Sequence, residues 1–200
     1  MRNTTLSVFT TVLLLTSIAV IVGTSGSSPS TPAAAQQVSL ERLSLNEMVD
    51  RAGRIFRGTV VTAEPGVIEL GGASFPTVNY LFRVDHAFKG DFPNKDGVAY
   101  AEVTMLGSPK SGVRSGQYTK LNTIPAPTLL KVGSDHVILL TPEGDSGLSA
   151  PVGLGQGNFE IFEQDKIEFA KNEFDNVGLF DGPVTYSRLS EEISKRGGNR

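Results

Sequence analysis

Hydrophobic and polar residues alternate along much of the chain with the two-residue period of a β-strand. The clearest run is 79–89, which places one aromatic, aliphatic or histidine residue after another on the same face: Tyr80, Phe82, Val84, His86 and Phe88. This pattern predicts a strand in which His86 is partly buried. Similar runs predict strands at 55–63, 67–70, 98–106, 136–140, 158–163 and 167–170.

Turn-forming residues separate these predicted strands. Glu64-Pro65-Gly66 predicts that the strand at 55–63 ends there, and that 67–70 returns along it before a loop at 71–72. Residues 165–166 predict a hairpin between the last two strands. Six or seven short strands bounded by glycine and proline turns are typical of an antiparallel barrel or sandwich, so the predicted fold class is mainly β.

A helical pattern stands at each end of this β-rich region. Ser44 and Glu47 have the spacing of a capping box, and 45–52 then places its apolar residues on one helical face. Near the C-terminus, 187–195 predicts one or two helical turns with Leu189 and Ile193 on one side, and residues 190–200 are expected to fray. The apolar face of the helix near the N-terminus predicts that this helix packs against another part of the protein.

The N-terminal 35 residues have the pattern of a secretory signal peptide. A single basic residue, Arg2, precedes an apolar run at 8–22, and Ala33-Ala34-Ala35 supplies an A-x-A cleavage site. The alternative is an uncleaved membrane anchor, because the apolar run is near the lower length limit for a span. We expect cleavage, a single β-barrel domain at 36–200, and a secreted, periplasmic or envelope-associated protein.

The amino-acid composition excludes several kinds of chemistry and of partner. The chain has no cysteine, which excludes disulfides, a lipid-modified cysteine, thiol catalysis and cysteine-ligated zinc. Its net charge of −3 disfavours nucleic acid as a partner, because phosphate contacts dominate that affinity. The long stretch 107–131 is different in charge, since it holds four basic residues and no acidic one. It predicts a basic loop in which Lys110, Arg114, Tyr118 and Lys120 bind an anionic partner such as a wall polymer, a lipid headgroup or an acidic protein; the alternative is a solvated loop without function.

The glycine-rich stretch GLGQGNFEIF at 153–162 raises the question of a nucleotide loop. Phosphate-binding glycine loops open a helix, whose free N–H groups hold the anion. Here Gly157 is followed by the alternation Asn158 to Phe162, which predicts a strand. We therefore interpret the stretch as a turn and expect no cofactor.

Two catalytic or metal-binding hypotheses concern the only two histidines, His86 and His136. Asp145-Ser146-Gly147 resembles the nucleophile motif of chymotrypsin-like serine proteases, which would make Ser146 a nucleophile and His86 its base. Leu148 stands where that family has a second glycine, so a tight turn is the preferred interpretation. Each histidine follows an aspartate, but neighbours in a strand point to opposite faces, and we expect no metal site.

Four segments together resemble a known arrangement: LNEMVDRAGRIFRGTVV, YLFRVDHAFKG, PTLLKVGSDHVILLTP and GLGQGNFEIF. Across residues 45–162 this order of motifs resembles small secreted bacterial proteins of unassigned function, and it is similar to netrin-like and metalloprotease-inhibitor domains. The resemblance implies an OB-like or netrin-like barrel with flanking helices. Those inhibitors chelate zinc through an N-terminal cysteine, which this chain lacks, so the resemblance implies a fold and not that activity.

The resulting hypothesis is an exported, non-catalytic binding or scaffolding module of the cell envelope or extracellular space. A secreted serine hydrolase centred on Ser146 and a cysteine-free inhibitor of an extracellular enzyme are the alternatives.

Overall fold

The computed structural model describes residues 41–107 and 129–197 as one antiparallel sheet with two helices. Within these residues the sheet has eight strands in the order β3-β4-β2-β1-β5-β6-β7-β8. The mainly β fold class and both predicted helices are confirmed. The elements are α1 (Leu45–Arg51), β1 (Arg54–Leu70), β2 (Ala73–Lys89), β3 (Asn94–Lys95), β4 (Val98–Leu106), β5 (Asp135–Leu140), β6 (Asn158–Gln164), β7 (Ile167–Lys171), β8 (Val184–Thr185) and α2 (Tyr186–Gly197).

Helix α1 begins where its capping residues predict. The Ser44 side chain accepts a hydrogen bond from the Glu47 N–H, and the Glu47 carboxylate accepts one from the Ser44 N–H, so two free donors of the first turn are satisfied. The pKa of Glu47 is lowered, first by its hydrogen bond to the Ser44 backbone. Leu45, Met48 and Val49 are buried on the face that meets the sheet.

Strands β1 and β2 form one long hairpin, and this corrects the turn predicted at 64–66. Pro65 and Gly66 continue β1 and pair with Val78 and Thr77, while the chain reverses five residues after Gly66, at Gly71-Gly72. Both of these glycines have positive φ, as a two-residue type I′ turn requires. A strand tolerates proline where the proline nitrogen points away from the neighbouring strand, because no ladder hydrogen bond is then lost. Pro65 therefore does not end β1.

Bulges interrupt the register between β1 and β2. On β2, residues 85 and 88 are skipped, because Arg57 pairs with His86 and Gly58 with Val84, and Ile55 pairs with Lys89 and Phe56 with Ala87. An extra residue shifts the following side chains to the other face. His86 is therefore exposed and stacks on Phe88 at 4.2 Å between ring centroids, so the prediction of a partly buried His86 is wrong.

Two hydrophobic clusters lie on opposite faces of the sheet. The first joins the two helices to the sheet, and the second lies on the other face of β1, β2, β4 and β5. Strand β5 contributes to both, since Val137 and Leu139 belong to the first cluster and Ile138 and Leu140 to the second. Every β5 residue except Asp135 is buried, so this strand is covered on both faces.

The segment 148–151 links the far edge of the sheet back towards β5. Leu148 bridges Thr104 of β4, and Pro151 bridges Leu140 of β5. The Arg54 side chain of β1 also donates a hydrogen bond to the Glu102 carbonyl of β4 at 3.1 Å. These contacts favour a closed barrel, and closure itself stays a prediction.

The glycine-rich stretch at 153–162 is a loop that enters β6, as interpreted from its sequence. Its Gln156 is buried and acts as an amide clamp: the Leu43 N–H donates to Oε1 at 3.0 Å, and Nε2 donates to the Glu41 carbonyl at 2.8 Å. Gly157 lies so close to the Leu139 carbonyl that a Cβ atom would come within 3.0 Å of that oxygen. The loop therefore anchors the segment that leads into α1.

Two buried asparagines extend this polar network. Asn172 donates to the Gln156 carbonyl at 3.0 Å, and Asn176 donates to the carbonyls of Ala170 and Gly182 at 3.0 and 2.9 Å. Buried amides with satisfied hydrogen bonds fix a loop in one conformation. The network holds 172–182 against the end of β7.

Helix α2 is longer than expected. It runs from Tyr186 to Gly197 with Leu189 and Ile193 buried in the first cluster, so residues 190–197 are helical and the expectation of fraying from residue 190 is wrong. Packing of an apolar face stabilises a helix that propensity alone leaves marginal. Neither described helix is long and apolar enough to cross a membrane.

We predict that Gln156→Leu lowers the free energy of unfolding by about 2 to 3 kcal/mol, because the Leu43 N–H and the Glu41 carbonyl lose a buried partner. Urea unfolding followed by circular dichroism measures the change. Gln164→Leu is the matched control, since Gln164 is exposed at the end of β6 and its replacement should change stability by less than about 0.5 kcal/mol. Equal effects of the two substitutions would contradict the clamp.

Candidate functional site

The residues proposed to bind an anionic partner lie outside the described part of the chain. Lys110, Arg114, Tyr118 and Lys120 all fall within 108–128, and that prediction stays a prediction. At the ends of this stretch, the Gly107 N–H donates to the Pro76 carbonyl at 3.0 Å, and the Leu130 N–H donates to the Tyr80 hydroxyl at 3.2 Å. Both ends of the stretch are therefore attached to β2.

Ser146 lies exposed in a tight turn that follows β5. The Gly147 N–H donates to the Gly144 carbonyl at 2.8 Å, which closes the turn expected from the sequence. His136 stands at the other end of β5, about 13 Å of strand before Leu140. The described contacts bring neither histidine into a hydrogen bond with Ser146.

His86 is also remote from Ser146 along the strands. Leu148, two residues after Ser146, bridges Thr104, and Thr104 pairs with Asn79. Asn79 precedes His86 by seven residues, or about 23 Å of extended strand. The ring of His86 lies against Phe88 on the opposite face of the sheet from the Phe82 cluster.

His136 is buried, with 4% of its surface exposed. Its Nε2 lies 2.7 Å from the Ser134 hydroxyl oxygen, and that hydroxyl donates its hydrogen to the Lys131 carbonyl at 2.6 Å. Its Nδ1 and the nearby Oδ1 of Asn158 are both buried without a hydrogen bond among the described residues. Burial lowers the pKa of His136, against the opposing effects of Glu160, Asn158 and Asp135, so the ring is held in its neutral form.

Arg57 is the centre of the main charged cluster on the helix side of the sheet. Its Nη2 lies 2.6 Å from Asp135 and 2.5 Å from Glu168, and its guanidinium carbon lies 4.2 Å from the centre of the Tyr186 ring. The hydrogen bond to Glu168 is the first cause of a pKa of Arg57 raised above its usual value, and the same bond lowers the pKa of Glu168. This guanidinium is occupied by two carboxylates, so it ties β1, β5, β7 and α2 together and offers little to an external anion.

A two-stranded arm, residues 67–76, extends beyond the body of the sheet. Along β1 the pairing with β5 ends at Thr59, and along β2 the pairing with β4 ends at Thr77, so within the described residues the two sides of the arm pair with each other. Val67 on the arm is 70% exposed. The turn predicted at 64–66 is incompatible with this arm; the signal for the arm in the sequence is Gly71-Gly72 between two alternating runs.

A shallow cavity of about 380 Å³ lies on the sheet beside the base of the arm. Its lining is polar and contains two exposed carboxylates, Glu64 and Glu102. The Thr104 hydroxyl donates to Asn79 at 3.0 Å across this surface. The residues that line it from the outer face are Thr62, Glu64, Asn79, Leu81, Glu102 and Thr104.

Comparison with known proteins assigns this chain to no family, because no protein-family model and no curated protein matches the sequence. The resemblance to netrin-like domains therefore stays a prediction. Within residues 41–107 and 129–197, no group of three or more histidine, aspartate and glutamate side chains is arranged to hold a metal ion.

We predict that stability falls as the pH is lowered below the ordinary histidine value of 6.5. The folded state depresses the pKa of His136, so the unfolded chain binds more protons in that range, and the free energy of unfolding falls by at most about 1.4 kcal/mol per pH unit for this group. Urea unfolding between pH 5 and 7.5 measures the slope. His136→Gln should flatten it.

His86→Gln is the control for this slope, because His86 is the other histidine and is exposed. An unchanged slope in His136→Gln, or a slope abolished by His86→Gln, would show that buried His136 is not its source.

We predict that a serine-reactive fluorophosphonate probe does not label Ser146, since the described structure provides it with no histidine partner. Gel fluorescence of the purified chain measures labelling. Labelling that disappears in Ser146→Ala would instead revive the hydrolase alternative.

Proposed function

We propose that this chain is an exported, non-catalytic binding or scaffolding module that recognises its partner through the arm and the neighbouring outer face of β1, β2 and β4. The arm is the observation that carries this proposal. Within the described residues no third strand pairs with the arm; a two-stranded ribbon alone is marginally stable, and an exposed strand edge invites unwanted pairing. A ribbon with exposed Val67 therefore adds little stability and a risk of unwanted pairing, and a role in binding a partner would explain why the fold has it.

The body of the domain supports such a role because it is firmly fixed. Strand β5 is buried on both faces, and Arg57 crosslinks β1 to β7 and α2 by charged contacts. A rigid body keeps the arm in one orientation, which lowers the entropy that binding must overcome. Recognition by segments positioned on a rigid scaffold is common in small β domains.

The export part of the proposal is supported by the sequence at 1–35, with its apolar run and its A-x-A site. The basic residues Lys110, Arg114 and Lys120 supply a second candidate contact, in this case with an anionic component of the envelope. The arm and the basic residues are separable by mutation.

We predict that a shortened arm abolishes envelope binding without unfolding the domain. The variant lacks 67–70 and 73–76, so that the Gly71-Gly72 turn joins Gly66 directly to Thr77. These two residues already pair, in the same phase of the ladder as Leu70 and Ala73, so the turn keeps its geometry. Co-sedimentation of residues 36–200 with isolated cell envelopes across a salt series measures binding.

The substitution Val67→Thr tests the same surface without a deletion, and Ile167→Thr is its matched control. Ile167 is 50% exposed at the start of β7, so both variants make an exposed aliphatic residue polar. A charge reversal of Lys110, Arg114 and Lys120 tests the basic residues separately. Binding that survives arm shortening and is lost in the charge reversal would contradict the arm as the recognition element.

A further inference from the structure

Among residues 41–107 and 129–197, no strand pairs with the outer edge of β1 from Val61 to Leu70, termed the open edge, so this edge offers backbone groups for one more strand. Because Leu70 and Ala73 flank a two-residue turn, they form a hydrogen-bonded pair, and every second pair back along the ladder does the same. The intervening residues Val67 and Glu69 therefore direct their N–H groups away from β2. Pro65 lies at an equivalent position and offers only its carbonyl.

On the described strands β1, β2 and β4, the charged side chains that border the open edge are carboxylates. Glu64 and Glu102 are exposed on the outer face, and Glu69 is exposed on the arm, where it accepts a hydrogen bond from the Ser74 hydroxyl. The sequence contains no lysine or arginine in 60–82 or in 98–107. Any strand added here would lie beside carboxylates.

Apolar positions accompany these carboxylates. Val67 is 70% exposed on one face of the arm, and Ile68 and Phe75 are half-buried as a cross-strand pair on the other. Glu69 shares the face of Val67 and Glu64 shares the face of Ile68, so an added strand would meet one carboxylate and an apolar side chain on each face.

A second copy of the chain fits this edge poorly. Two open edges in antiparallel contact would bring Glu64 and Glu69 of one copy near those of the other, and like charges on neighbouring strands are destabilising. Each Pro65 would also remove a donor from the new ladder. The charge favours a partner of opposite sign.

We propose that the open edge binds an extended basic segment of a partner protein, which adds to β1 as a further strand. Its backbone pairs with the outward groups of Val67 and Glu69, and its lysine or arginine side chains face Glu64 on one face of the sheet and Glu69 on the other. This mode is β-strand addition, in which the backbone gives affinity and the alternate side chains give specificity. The inference rests on the proposed binding function and specifies its partner.

The test uses residues 36–200 and a ten-residue peptide in which two lysines alternate with two valines, so that each face of the added strand carries lysine, with a peptide of glutamate in place of lysine as the charge control. Fluorescence anisotropy should detect binding of the lysine peptide only, and the affinity should fall as salt rises. Hydrogen exchange measured by NMR should slow at the Val67 and Glu69 amides when the lysine peptide is added.

Two variants separate the backbone from the charge. Val67→Pro removes one outward N–H without removing a bond to β2, so we expect peptide affinity to fall at least about tenfold, while Val67→Ala keeps the N–H and serves as its control. Glu64→Gln combined with Glu69→Gln changes exposed side chains alone and should weaken binding roughly fivefold. Circular dichroism verifies that each variant is folded.

Equal binding of both peptides, or unchanged binding by Val67→Pro, overturns the proposal. Slow exchange of the Val67 and Glu69 amides in the free chain also overturns it. If sedimentation then shows a dimer, a second copy occupies the edge. If it shows a monomer, another segment of the same chain occupies the edge. If neither peptide binds while arm shortening still abolishes envelope binding, the proposed function stands and the basic strand is wrong.

Discussion

Burial of β5 on both faces is the constraint on which the rest of this structure depends. Val137 and Leu139 pack against the helix layer, while Ile138 and Leu140 pack into the second cluster, so one six-residue strand belongs to both hydrophobic clusters. A shift of β5 by one residue would move the side chains of each face to the opposite face. Because the side chains on both faces are apolar, burial alone does not fix the register of β5. Its register is fixed instead by pairing with β1 and β6.

The charged side chains around Arg57 connect strands and a helix to one another and leave little free charge for a ligand. Arg57 is shared by Asp135 and Glu168 and lies over Tyr186, so its charge is neutralised within the domain. The carboxylates near the arm differ, because no basic residue accompanies them in 60–82 or 98–107. A neutralised body and an acidic edge together support the edge as the proposed binding site.

Many elements of the fold are predictable from interactions between close neighbours in the sequence, and each wrong prediction has a specific physical cause. Ser44 and Glu47 predicted the start of α1, because a capping box is complete within four residues. Pro65 misled the strand prediction, since whether a proline breaks a ladder depends on which side of the strand lacks a neighbour. His86 was assigned to the wrong face because bulges depend on the partner strand, which a single run of residues does not reveal.

The sequence by itself determined the mainly β class, the helix boundaries near residue 45, the hairpin at 165–166 and the turn character of the glycine-rich loop, because each depends on contacts between close neighbours in the chain. Tertiary structure alone decided the roles of Gln156 and Arg57, and it left the edge of β1 beyond Thr59 without a neighbouring strand among the described residues. Gln156 holds Leu43 from 113 residues away, and an edge is open only if no distant strand covers it. Such properties arise from long-range pairing, which local patterns do not encode.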